Sequence, residues 1–133
     1  MKLKFLPTQQ NFTNTVTGET INGIDLSEIL DGESFSLPEM SAVGIQKAER
    51  IDGELFVTLE QCCIAYRYPV SSHDWRESDW IDADDFNPNQ CYCKPISVDG
   101  KEDWKFQWVD EMETLPSGVT RPIKGWTVVR NES

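Results

Sequence analysis

Basic residues are scarce in this chain. Lys and Arg number 12 against 23 Asp and Glu, so the formal net charge is −11 over 133 residues. A surface so poor in cations cannot neutralise phosphates in bulk. Free, sequence-independent binding to nucleic acid and adhesion to anionic lipid are therefore both disfavoured. Long apolar runs are missing too, and none approaches the length that spans a bilayer. The start, Met1 to Pro7, is basic but has no apolar stretch behind it, so no secretory signal is read and synthesis in the cytoplasm is expected. Histidine is limited to His73. A nucleophile–histidine pair could use only that residue, and its place beside Asp74 and Trp75 on a polar stretch suits a surface position better. Phosphate-binding glycine loops, nucleophile elbows and dinucleotide fingerprints are all lacking. Glu60, Asp74 and Asp110 are available carboxylates, but nothing in their spacing pairs them for acid–base work. The expectation is a protein that is not an enzyme, with no catalytic residues and no cofactor.

What the chain does have is turns. Thr17-Gly18, Asn22-Gly23, Asp31-Gly32, Asp52-Gly53, Asp99-Gly100 and Ser117-Gly118 recur at short spacing, with β-formers between them. Asp-Gly between β-formers is a strong hairpin signal, because a type I′ turn needs positive φ at both central residues. Past Asp52-Gly53, Leu55, Val57 and Leu59 alternate with Phe56, Thr58 and Glu60, the period of a half-buried strand. The expected fold is all-β, a small antiparallel sandwich or meander in one domain over 1–133. Strands are expected at 3–6, 13–17, 20–25, 34–37, 43–51, 54–65, 94–98, 104–109 and 125–130. Residues 24–30 could instead form a short helical turn capped by Asp25 or Ser27. Residues at about 67–92 lack alternation and read as an inserted acidic loop, with room for a short helix capped by Ser71 or Ser72. Residues at about 101–133 read as a C-terminal extension, locally basic at Arg121, Lys124 and Arg130.

Four constellations are candidates for function. The first is Cys62-Cys63 and Cys91-x-Cys93 with His73 between them. A zinc site from Cys62, His73, Cys91 and Cys93 can be drawn, but adjacent cysteines on a strand point to opposite faces, so the spacing argues against it. A disulfide from Cys63 to Cys91 or Cys93 is a second reading, and buried free thiols in a reducing compartment a third, which the spacing favours. The second is the acidic run Asp74, Glu77, Asp79, Asp82, Asp84 and Asp85, which lacks the glycine of a calcium loop and reads as a solvated face or a docking surface for a basic partner. The third is Trp75 and Trp80 within that run, where an aromatic with a charged rim has the composition of an interface anchor. Trp75, Trp80, Asp79, Asp82, Asp84 and Asp85 are accordingly the expected partner-binding residues. The fourth is Trp104, Phe106 and Trp108, which share one strand face and suit a core, an interface or a platform for sugar.

Three phrases carry a resemblance. They are Ile21-Asn22-Gly23 with Asp25-Leu26-Ser27, the run Glu49 to Leu59 (ERIDGELFVTL), and Lys94 to Gly100 (KPISVDG). In this order and spacing they resemble a group of small phage and prophage proteins encoded near tail genes, which carry ING…DLS, then RIDGxLxxTL, then PIxV…DG. The match lies within 21–100; the enlarged 67–92 and the stretch 101–133 depart from the pattern. The resemblance implies a phage context, a virion or host-cytoplasm location and partners among phage structural proteins of the tail or tail fibre, with self-association a further possibility. It brings no site residues. The expected role is a non-enzymatic tail component or assembly factor acting by protein–protein docking. Two other readings stand beside it: an acidic mimic of nucleic acid that inhibits a host defence or DNA-processing protein, and a Cys/His zinc-binding protein.

Overall fold

The Asp52-Gly53 turn adopts positive φ at both residues, 50° and 81°, as a type I′ turn requires. It joins β6 (Ile45–Ile51) to β7 (Glu54–Cys62) in an antiparallel hairpin. This is a computed structural model, and it describes residues 1–8, 10, 12–64, 75–96 and 104–130. More than half of the described residues are in strands and few are helical; the fold is all-β.

The largest sheet runs β5-β6-β7-β1-β9, with β1 at Lys2–Thr8, β5 at Ser34–Phe35 and β9 at Ile81–Asp82. Its pairings are antiparallel except one. β1 lies parallel to β7, with Leu3 opposite Val57 and Phe5 opposite Leu59. A parallel pair needs a long crossover, and the chain between β1 and β7 supplies it. Strand alternation announces a strand but not its neighbour, so an antiparallel meander was the natural expectation and the parallel pair is new. Within the crossover, β2 (Val16–Thr17), β3 (Thr20–Ile21) and β4 (Ile24–Asp25) form a small meander, and a single helical turn, α1 (Pro38–Ser41), opens on a proline. After β4 the Asp25 carboxylate accepts from both the backbone N–H and the hydroxyl of Ser27, at 2.9 and 2.6 Å, so Asp25 caps the following turn.

β7 shows the expected alternation. Leu55, Val57 and Leu59 are fully buried while Phe56, Thr58 and Glu60 are half-buried on the other face. They meet Leu3, Phe5, Ile45 and Ala48 from the same sheet, with Ile21, Leu26 and Met40 from the crossover and Cys63, Trp75 and Val128 from later in the chain. Each such side chain contributes about 1.5–3 kcal/mol on burial. Phe5 stacks on Tyr92 at 4.8 Å and on Phe86 at 5.7 Å, which ties the described part of the acidic stretch to the sheet.

That stretch is less loop-like than its composition suggests. Of the expected 67–92 region, 67–74 lie outside the described residues, and with them Ser71, Ser72, His73 and Asp74. Residues 75–96 hold β8 (Trp75–Arg76), β9, a 3-10 turn at Ala83–Asp85, and β10 (Lys94–Pro95), which pairs with β8. The described part of the C-terminal extension is one long hairpin, β11 (Trp104–Thr114) and β12 (Thr120–Arg130). Its tip closes through Leu115 N–H to the Val119 carbonyl and Gly118 N–H to the Leu115 carbonyl, both 2.8 Å. The expected strands 104–109 and 125–130 are its base. Acidic residues and Pro122 hid the distal half, yet a two-stranded ribbon tolerates both, the acids because its faces are solvated and the proline because an outer edge needs no ladder donor. Among the described residues no helix is long and apolar enough to cross a membrane.

Candidate docking surface

β9 is one of the two outermost strands of the large sheet, and Trp80 sits just before it. Trp80 is 41% exposed, and its ring meets Phe56 edge to face, with centroids 5.3 Å apart and an 88° interplanar angle. The Lys4 ammonium stands 5.5 Å from the ring centroid, a cation–π distance. The rim is charged. Lys4 pairs with Glu77 at 2.9 Å, and Lys2 is bonded to Asp82. The Lys2 hydrogen bond, then its charge, holds the Asp82 carboxyl below the usual aspartate range, and the same bond raises Lys2. Asp79, Asp84 and Asp85 are exposed along the same stretch. Five of the six expected partner-binding residues therefore lie together on an accessible edge.

Trp75 is elsewhere. It is 5% exposed, its indole N–H donates to the Ile64 carbonyl at 3.2 Å, and its ring stacks on Phe106 at 6.4 Å. Placed in β8 and facing inwards, it is a core residue that offers no surface to a partner.

Trp104, Phe106 and Trp108 do share a face, and they grade from core to surface. Trp104 meets Phe106 edge to face at 5.0 Å, and both pack against the core. Trp108 is 39% exposed and meets Trp126 across the hairpin at 5.5 Å. Beyond Asp110 and Lys124 the hairpin projects as an arm. Four residues of each strand at a rise of about 3.3 Å carry it roughly 13 Å further. Met112 and Val119 on it are 65% and 58% exposed, flanked by the Arg121–Glu113 pair at 2.7 Å. The arm was not foreseen. Its signal was the Leu115-Pro116-Ser117-Gly118 turn, which sits midway between two segments of equal length.

The cysteines are all buried and unbridged. Opposite facing separates Cys62 from Cys63, as strand geometry demands. Cys63 points to Cys91 and Cys93; hydrogen bonding among these thiols, added to burial, pushes Cys63 far above the ordinary thiol range. Cys62 turns the other way, its thiol on the Lys124 carbonyl at 3.1 Å, and burial pushes it up to about 11. Among the described residues no set of three His, Cys, Asp or Glu is arranged to hold a metal ion; His73 lies outside them.

The phrases that carried the resemblance do structural work. Asn22, at φ 52°, accepts from the Thr15 N–H at 2.7 Å and donates to the Asn14 side chain and the Val43 carbonyl, both at 2.9 Å. Arg50 donates to the carbonyls of Ile29, Gly53 and Ser27 at 2.5, 3.1 and 3.4 Å and grips Glu19 with its fork. Asp31 accepts from the Gly53 N–H at 2.9 Å. These residues lock the crossover onto the β6–β7 turn; they build a scaffold rather than a reactive site. The third phrase is described only through Ile96, so Asp99-Gly100 lies outside the described residues. Comparison with protein-family models, with curated proteins and with solved structures finds no match.

Proposed function

We propose that this protein works by protein–protein docking, as a structural component of a phage tail region or as a factor in its assembly, and not by catalysis. The observation that carries the docking reading is the β11–β12 arm. A two-stranded ribbon alone in water is marginally stable. One that projects apolar Met112 and Val119 between charged pairs has the make-up of a contact that gains stability when another chain covers it. The ribbon has no third strand among the described residues, so strand addition by a partner fits the same arm. The edge around Trp80, with Asp79, Asp82, Asp84 and Asp85, supplies a second surface. The phage setting rests on the three sequence phrases, and the partner it suggests is a larger tail or tail-fibre protein.

Mass spectrometry of purified particles from the encoding phage tests this reading. The expected result is the chain at a fixed ratio to the major tail protein, or, for an assembly factor, in tail intermediates alone. Absence from both would contradict it.

A further inference from the structure

The hairpin base and the end of β7, with the segments at residues 12–14 and 86–89, enclose a cleft of about 580 Å³ that the docking reading does not use. This lies within the roughly 300–1,000 Å³ typical of small-ligand sites. Four aromatic rings line it, Phe12, Phe86, Trp108 and Trp126, and the two indoles make a corner at 5.5 Å and 71°. The floor is fixed. Asn14 donates to the Glu60 carbonyl and accepts from Asn22, while Gln61 holds three backbone groups of residues 90–93. The rim is not. The Thr13 hydroxyl, the Asn89 side-chain amide and both indole N–H groups have no hydrogen-bond partner among the described residues. Asp110 and Lys124 face each other there at 4.0 Å and cancel in charge.

From this composition we infer that the cleft is a binding site for a neutral saccharide. A pyranose has C–H faces that suit the electron-rich faces of aromatic rings. Its hydroxyls both donate and accept, and the rim offers both, through indole and amide N–H groups, a carboxylate, an ammonium and a hydroxyl. An anionic ligand would need surplus positive charge, but Lys124 is offset by Asp110 on a chain of net −11. A purely apolar ligand would strip water from the rim groups without replacing their hydrogen bonds, which is unfavourable. An extended peptide would want a free strand edge, and β12 beside the cleft is already bridged by Cys63 and bonded by the Ile64 N–H at 2.8 Å.

The test is an array of neutral mono- and oligosaccharides probed with the full-length protein. Binding is then titrated by tryptophan fluorescence in the natural chain and in Trp108→Ala, Asn89→Ala and Trp80→Ala. Trp108 and Asn89 are exposed, so their variants are expected to fold, and circular dichroism checks this. The expected result is binding weakened about tenfold or more by Trp108→Ala and roughly fivefold by Asn89→Ala, with Trp80→Ala unchanged. Saturation by free monosaccharide would identify a single-sugar site, whereas binding only of oligosaccharides would identify a site for a polysaccharide chain. No bound neutral saccharide, or binding that both cleft variants leave intact, would overturn the inference.

Discussion

Gln61 serves Tyr92 as a neighbouring strand would. Its side-chain oxygen accepts from the Tyr92 N–H at 2.8 Å and from the Cys93 N–H at 3.3 Å, and its amide donates to the Gln90 carbonyl at 2.8 Å. The Tyr92 ring is thereby held on Phe5 at 4.8 Å. Gln61→Ala removes the partner of three backbone groups at once. A buried polar group left unsatisfied costs about 1–3 kcal/mol, and since the Cys93 N–H is buried while the other two groups are part-buried, a loss of about 2–3 kcal/mol is expected in urea unfolding. A loss under about 1 kcal/mol would show that water takes over those groups.

Gly125 marks where β12 crosses the end of β7. A Cβ there would stand 2.9 Å from the Cys62 sulfur and 3.0 Å from an Ile64 methyl, at a φ of 153° that side chains rarely adopt. Gly125→Ala is expected to destabilise by about 1–3 kcal/mol through overpacking. Cys62→Ala in the same chain should recover part of that loss, because it removes the nearest clashing atom. Purely additive effects would place the strain in the backbone alone.

Arg50 tests the scaffold phrase. Five hydrogen bonds leave one guanidinium, and no ammonium reaches those directions. Arg50→Lys keeps the charge and is expected to cost about 1.5–3 kcal/mol in thermal or urea unfolding. A neutral outcome would mean that the Glu19 ion pair alone matters.

The buried thiols give stability a dependence on alkaline pH. Burial raises Cys62 from its ordinary 9.0 to about 11 in the folded chain. The folded state then holds a proton that the unfolded state has released, so stability is full below about pH 9 and falls as pH rises towards 11. Cys62→Ala should flatten that fall relative to the natural chain in urea titrations at each pH. Identical slopes would show that the thiol is solvated.

Much of the fold was legible because period-2 burial and turn chemistry are local. Asp52-Gly53 and the Leu55, Val57, Leu59 face follow from residues a few positions apart, and so does the opposite facing of Cys62 and Cys63. The parallel β1–β7 pair was not, since alternation in Leu3 and Phe5 is the same whichever strand lies beside them. Trp75 and Trp80 show the same limit at the candidate site. Both sit among carboxylates in the chain, and only the pairing of β8 with β10 turns one inward while the sheet edge leaves the other outside. The cleft drew on residues from 12 to 126, a set no local pattern links.

The central claim is that the arm is a docking contact, and cross-linking from its tip tests this most directly. A photoreactive residue in place of Val119, which is 58% exposed, would be introduced during phage growth, with a second chain carrying it at exposed Glu28, away from both proposed surfaces, as a reference. The account predicts a covalent adduct from position 119 to a larger phage structural protein, formed in particles or tail intermediates. Irradiation that yields no protein adduct from position 119 in either, with the chain present and folded, would contradict it.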